Sequence, residues 1–467
     1  MFQIFTFLLF FISTLAFPVT VKAQEKINIL GVHLTQTSDL DQAASFLNPG
    51  GQTWSWVTIV LSKNDLNPQK WQDFFDKCRE KHLVPLLRLA TQAEGAIWRR
   101  PQTQDLHDFA SFLEKLNWPS QNQHLILFNE PNRADEWGGA VDPTSYSQIV
   151  IEAQKIFKEK NKNFQILLAG PDLAAPQQPP NFYEAQIFYE NLVQTNPQIL
   201  ELIDGLASHS YPNHGYIGKP NDSGPHSIQG FQWEINLLES LGLSKKIPIY
   251  ITETGWPHLE GIQKNYSYYK VSTSAQFLIQ ALSLWEQNPQ IKAATPFIFN
   301  YPQEPFDHFS WTNNRGEVYF EYEKIKLLPK PLWKPTQISS QEKLKQSLPL
   351  IIFPGQSQTG KITLKNTGQS IWGEENFCFK AQSSQEITLT DLCLPQDTLI
   401  KPGEKYEFSF EFTINPDPQA KKLFISWEGI DPIHIKPFLS LSSNLPYRQE
   451  TGIWDRLSHF FKKLTKK

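Results

Sequence analysis

From about residue 27 onward, short apolar runs alternate with longer stretches whose apolar residues recur at helical spacing. The runs are INILGV (27–32), WVTIVL (56–61), LVPLLRL (83–89), LILFN (125–129), FQILLAG (164–170), IDGLASH (203–209), IPIYIT (247–252) and TPFIFN (295–300). Between them lie segments such as PQKWQDFFDKCREK, in which Trp71, Phe74, Phe75 and Cys78 share one helical face and Pro68 sits where a first turn accepts it. Eight buried-type strands alternating with helices predict a parallel (β/α)8 barrel, the TIM-barrel form of the α/β class. An open doubly wound sheet would instead place a glycine-rich phosphate loop after its first strand. The residues there are GVHLTQTSD, with one glycine, and no GxxxxGK[ST] occurs anywhere, so nucleotide chemistry is disfavoured.

The period changes near residue 325. The proline-rich stretch LLPKPLWKPTQISSQEK reads as a linker over 326–346 that closes a barrel domain over 24–325. Beyond it, KITLKN, QEITLT, KYEFSFEFTI and KKLFISW alternate with period two between Gly, Pro and Asn turns. They predict a small all-β sandwich over 347–445. The last stretch, 446–467, is a basic amphipathic tail. Trp454, Leu457, Phe460, Phe461 and Leu464 fall on one helical face, with Arg456, Lys462, Lys463, Lys466 and Lys467 around them. Such a tail suits either an anionic membrane surface or docking on the sandwich.

The N-terminal segment Phe2–Phe17 is nearly all apolar and is followed by Val21-Lys22-Ala23. It predicts a signal peptide over 1–23, or an uncleaved anchor, and either reading puts the remainder outside the cytoplasm. Export permits a disulfide between Cys378 and Cys393, while Cys78 reads as a buried thiol. No Cys/His cluster has zinc spacing. A formal net charge of -4 gives no reason to expect a nucleic-acid partner.

Two apolar runs end in a glutamate: LILFN leads to Glu130 and IPIYIT to Glu253. On a count of eight strands these follow strands four and seven, at the C-terminal mouth where such barrels carry their chemistry. A half-buried carboxylate there is costly unless it is paired or used. Paired carboxylates suit glycosidic cleavage. One protonates the leaving oxygen while the other meets the charge that develops at the anomeric carbon.

FNEPN and YITETGW together resemble the superfamily of retaining (β/α)8 glycoside hydrolases that includes cellulases, mannanases, xylosidases and galactanases. The resemblance spans about 27–320. It implies that Glu130 is the general acid/base, Glu253 the nucleophile, and Asn129 a partner for the sugar 2-hydroxyl. His209 and Tyr211, in HSYP, match the superfamily's His-x-Tyr, whose Tyr contacts the nucleophile. The expected substrate is a β-linked oligo- or polysaccharide, with no metal or organic cofactor. Further mouth candidates are His33 after strand one, Arg88 at the end of strand three, Trp137 on the loop after Glu130, and Trp256 beside Glu253. Relatives carry a tryptophan at the end of strand eight. Here Phe299, Tyr301 or Trp311 would have to replace it. The sandwich, with KNTGQSIW and FISWEG, resembles small immunoglobulin-like accessory domains, with Trp372 and Trp427 read as core. The competing reading of the whole chain is a catalytically silent glycan-binding protein on the same barrel.

Overall fold

The computed structural model describes residues 26–435, apart from 417 and 419–421. The expected signal peptide and basic tail lie outside the described residues. Eight parallel strands form one sheet in chain order: β1 (Gly31–Leu34), β2 (Ser55–Ser62), β3 (Leu83–Ala90), β4 (Gln123–Ile126), β5 (Phe164–Leu168), β6 (Gly205–His209), β7 (Ile249–Glu253) and β8 (Ile291–Ala294). A bridge between Leu30 and Ala294 joins the last strand to the first. The strands are buried on both faces, which is why they read as continuous apolar runs. The helices that follow each strand form the outer ring: α1 (Leu40–Leu47), α2 (Pro68–Glu80), α3 (Thr103–Leu113), α4 (Pro143–Lys160), α5 (Ala185–Thr195), α6 (Gly230–Ser240), α7 (Val271–Trp285) and the short α8 (Glu323–Lys326). Asn67 and Asp142 cap α2 and α4 through their side chains, and each is followed by the proline that opens the helix.

The eighth strand lies four residues before the predicted run. Ile291–Ala294 pairs with β7, while 295–300 continues past the strand end into the mouth. The interruption of IKAA by Lys292 masks the true strand, and the more apolar TPFIFN mimics one.

The C-terminal region is a sandwich of antiparallel strands: β9 (Gln341–Ser347), β10 (Ser357–Asn366), β11 (Cys378–Phe379), β12 (Ala381–Ser383), β13 (Ile387–Leu389), β14 (Leu392–Cys393), β15 (Lys405–Ile414), β16 (Leu423–Trp427) and β17 (Ile430–Ile435). One sheet has the order β9-β10-β15-β13 and the other β12-β16-β17. Alternate residues Ile362, Leu364, Phe408, Phe410 and Phe412 meet Ile425, Trp427 and Ile433 in one core. Trp372 is buried in the same core. Cys378 and Cys393 pair across β11 and β14 and form a disulfide, and Cys78 is buried and free. β9 begins inside the stretch predicted as linker and ends at Ser347, just beyond it. As an edge strand it is mostly exposed, so QEKLKQS carries little alternation.

The rest of the predicted linker is strapped to the barrel. Trp54 donates its backbone N–H to Trp333 O at 3.0 Å, Gln121 donates to Thr336 O at 2.8 Å, and the Trp56 and Trp333 rings stack. A sandwich turn then docks on the barrel. Asn117 Nδ2 donates to Gly368 O at 2.9 Å, and Gln369 Nε2 donates to Ser120 O at 2.9 Å. Arg79, 2% exposed, joins the two bodies. Its guanidinium donates to Gln369 O, to Asp76 and to Asn117. Replacing it would leave several buried acceptors unpaired. Arg79→Ala is expected to lower stability by about 3 kcal/mol. Lys401→Ala, which removes only the exposed pair with Glu80, should cost under about 1 kcal/mol. Thermal unfolding of the two variants compares them, and equal losses would show that Arg79 does not hold the docked pair together.

Candidate active site

β4 and β7 deliver the two glutamates by different routes. Glu253 is the last residue of β7 and 8% exposed. Glu130 stands four positions beyond the end of β4, on a backbone with two non-glycine residues at positive φ, Phe128 (70°) and Glu130 (29°). Such conformations cost about 1–3 kcal/mol each and need outside support. Asn132, fully buried, supplies it: its Nδ2 donates to Asp172 O and Tyr183 O at 2.9 Å each, and its Oδ1 accepts the Asp172 N–H. Arg133 N donates to Glu130 O and closes the turn.

The carboxylates face each other. Glu130, His209 and Glu253 each place one polar atom within 4.8 Å of those of the other two. His209 Nδ1 lies 2.9 Å from Glu130 Oε1 and 3.8 Å from Glu253 Oε2. Arg88 NH1 donates to Glu253 Oε1 at 2.5 Å and to Asn129 Oδ1 at 2.5 Å. Tyr211 donates its hydroxyl to Glu253 Oε2 at 3.2 Å. That spacing of three ligand-type atoms would also suit a cation. The guanidinium already supplies positive charge on Glu253, and a metal ion beside it would meet direct repulsion.

These contacts separate the two glutamates electrostatically. Burial raises Glu130, and the nearby Asp172 and Glu253 carboxylates raise it further against the pull of His209. Burial acts on Glu253 in the same direction, but His209, Arg88 and the Tyr211 hydroxyl outweigh it, and its carboxyl falls below the ordinary value. His209 is itself raised, burial notwithstanding, by the two carboxylates. One glutamate therefore holds its charge while the other shares a proton with His209.

The remaining candidates divide. Asn129, Arg88, His209 and Tyr211 all touch the pair directly or through one another. His33 is 2% exposed, with Nδ1 4.0 Å from Glu253 Oε1, and burial lowers it to about 3, so its imidazole is neutral. Trp137 and Trp256 do not reach the mouth. Trp137 is fully buried, donates Nε1 to Ser145 Oγ at 2.7 Å and packs on Phe128 and Tyr146. Trp256 is 3% exposed, donates Nε1 to Gly218 O at 2.6 Å and packs on Phe277. Both indoles brace loops around the site and present no face to a ligand.

The strand-eight substitute is also different. Phe299 and Trp311 are buried, packing with each other and with Phe46. Tyr301 is half-buried and packs on Phe306, and Phe297, packed on the same Phe306, is the ring beside His33. Phe297 donates its N–H to Thr254 O, is half-buried, and packs edge-on against His33 at 5.4 Å. Other residues went unread in the sequence. Tyr216 packs on Tyr211, and Arg133 lies 3.5 Å from both Glu130 and Asp172. Glu136, beside Asn129 and Arg88, is pushed up to about 7 by burial. RADEWGG offered one cue for Glu136, an acidic residue within a loop directly after Glu130, but nothing to rank it above its neighbours.

With this geometry in place, the comparisons bear on the barrel. A family described as the glycosyl hydrolase catalytic core matches residues 96–317, from the loop after β3 to beyond β8. No curated protein sequence matches the chain. Solved structures similar to it include a β-mannanase from Thermomonospora fusca, at 12% identity over 66% of this chain and 93% of that one, TM-score 0.42. A GH5_18 enzyme from Bifidobacterium longum, in complex with Manb1-4GlcNAc, has 12% identity over 64% of this chain and 77% of that one, TM-score 0.45. A β-glucanase from Saccharophagus degradans has 12% identity over 64% of this chain and 88% of that one, TM-score 0.39. What the chain itself displays is a (β/α)8 barrel with a close glutamate pair after its fourth and seventh strands, the arrangement of a glycosidase-type enzyme.

Proposed function

We propose that the protein is a retaining glycoside hydrolase acting on β-linked oligo- or polysaccharides outside the cytoplasm. The observation that carries this reading is the approach of Glu130 and Glu253 to within 4.8 Å. Retaining pairs stand about 5–5.5 Å apart, whereas inverting pairs leave about 6.5–9.5 Å for an intervening water. In the first step Glu253 attacks the anomeric carbon while Glu130 gives its proton to the departing oxygen. The glycosyl–enzyme ester then removes the charge on Glu253. That lowers the cost of ionising Glu130, which takes a proton from water as the water attacks and releases Glu253. Arg88 occupies Asn129 Oδ1 and the Asn129 amide N–H group bonds the Glu136 carboxylate, so Asn129 is oriented from both sides and keeps its second amide hydrogen for a sugar 2-hydroxyl. Phe297 supplies a smaller aromatic surface under the reacting ring than an indole would. The Cys378–Cys393 disulfide and the apolar Phe2–Phe17 segment support the extracytoplasmic placement.

A screen of aryl β-glycosides and β-linked polysaccharides tests the activity. Glu253→Ala should lose turnover by about a thousandfold or more. Added azide should restore part of it and release a glycosyl azide of inverted configuration. Glycan binding with no turnover in either form would favour the silent binding protein.

The opposed shifts also fix the pH profile. Activity needs Glu253 ionised, so it appears as pH rises through that group's depressed value. It also needs Glu130 protonated, so it is lost as pH rises through that group's elevated value. Arg88→Met removes the cation on Glu253 and should move the acidic limb upward by about one unit or more. A profile of kcat/KM that loses amplitude with no shift of that limb would contradict the assignment.

A further inference from the structure

The strand order divides the mouth. β8, β1, β2 and β3 lie on one side of the line from β4 to β7, and β5 and β6 lie on the other. Arg88 of β3 holds Asn129 from the first side. The ring whose 2-hydroxyl Asn129 meets, and any sugar unit ahead of that ring, therefore belongs on that side, and the leaving group belongs over β5 and β6. A line of rings leads outward on the first side. His33 Nδ1 stands 4.0 Å from Glu253 Oε1, Phe297 packs on His33 with ring centres 5.4 Å apart, and Phe306 packs on Phe297 at 5.2 Å. Tyr301 packs on Phe306 at 5.5 Å.

Phe306 is 41% exposed, and the backbone beneath it is tied down. The segment leaving β8 runs out through Tyr301 and returns through Thr312, and hydrogen bonds join its two limbs. Trp311 N donates to Ile298 O at 3.1 Å, Tyr301 N to Ser310 Oγ at 3.0 Å, and Thr312 Oγ1 to Asn300 Oδ1 at 2.8 Å. At the tip, the Phe306 carbonyl accepts the Phe309 N–H at 2.9 Å, and Asp307 Oδ2 accepts the Ile262 N–H at 2.6 Å from the loop after β7. A single bare ring is common on protein surfaces. This one stands next in line from the catalytic carboxylate, on a braced loop that spends little ordering entropy on a ligand. Tyr301, half-buried beside it, carries a hydroxyl that can serve a sugar oxygen. Between Tyr301 and Phe309 the chain carries Glu304 and Asp307 but no lysine or arginine. That charge suits an uncharged sugar better than a uronic acid. Apolar ring faces with a few polar groups are the chemistry that holds a pyranose, whose C–H face stacks while its hydroxyls bond.

We propose that Phe306 and Tyr301 form a second glycone subsite, which takes the uncharged sugar unit preceding the reacting ring. The substrate is then a β-linked chain with at least two units ahead of the bond that is cleaved. The direction of the chain rests on the glycosidase reading, whereas the affinity of this site for a sugar does not.

The test uses nitrophenyl β-glycosides of one, two and three units in gluco-, manno-, xylo- and galacto-configurations. In the preferred configuration, kcat/KM of the parent should rise about tenfold or more from one unit to two. Phe306→Ala and Tyr301→Ala should each shrink that ratio to about threefold or less, while Phe306→Tyr, which keeps the ring, should preserve it. A change that only loosened the loop would lower all lengths alike. A parent ratio near one, or alanine variants that lower every length in equal proportion, would overturn the proposal. Calorimetric binding of the free two- and three-unit sugars to a Glu253→Gln chain separates this site from the reaction. Binding that strengthens with length and weakens in both alanine variants, with no turnover by the parent, would uphold the subsite and refute hydrolysis. Turnover that ignores chain length would do the reverse. Neither binding nor turnover in any configuration would refute both.

Discussion

The contact on which the site depends is the one between Arg88 and Glu253. A carboxylate at the end of a barrel strand, 8% exposed, is costly to keep charged. The guanidinium from the mouth end of β3, reaching across the barrel to β7, offsets that cost, and its second bond to Asn129 ties Glu253 to the loop that carries Glu130. The remainder of the site follows from holding this one charge. Tyr211 and His209 reach Glu253 because its carboxylate is a fixed acceptor. Glu130, facing a charge that stays, is left as the group that holds the proton. The asymmetry arises because Glu253 takes a direct bond from Arg88 together with the pull of His209 and the Tyr211 hydroxyl, whereas Arg133 stands 3.5 Å from Glu130 and is shared with Asp135 and Asp172.

Support for that arrangement lies outside the contact itself. The turn after β4 carries two left-handed non-glycine residues, and Asn132, Asp172 and Tyr183 hold it in place. The indoles of Trp137 and Trp256 fill the space behind the loops that bear the two glutamates. A site set to within tenths of an ångström needs such a rigid surround, and large aromatic side chains packed on both faces supply it. At the other end of the strands, the linker and sandwich cover the loops around the entry to β2, β3 and β4, which leaves the mouth unobstructed.

Much of this was legible in the sequence because its physics is local. A glutamate following an apolar run marks a carboxylate at a strand end, and two of them 123 residues apart fix two strands of a repeating pattern. Arg88 was legible for the same reason, as a polar residue closing a buried run, and His209 and Tyr211 through the match of HSYP to the superfamily's His-x-Tyr. The failures share a cause as well. Whether Trp137 or Trp256 faces a cleft or a wall depends on which loop folds over it, and sequence spacing carries no record of that. β8 was misplaced because Lys292 breaks its apolar run while the mouth segment after it is more hydrophobic than the strand. β9 was hidden because an edge strand needs little alternation. Arg79 looked like one more charge on a helix end, and its burial depends on a turn 290 residues away.

The account is tested most directly by trapping the covalent intermediate. A panel of 2-deoxy-2-fluoro-β-glycosyl fluorides slows the second step more than the first, so a retaining enzyme accumulates its ester. Intact-protein mass spectrometry should show one added glycosyl group per chain, and peptide mapping should place it on Glu253. Turnover of a β-glycoside that releases an α-configured product, with no adduct from the corresponding fluoride, would contradict the account. An adduct on Glu130 would reverse the two roles.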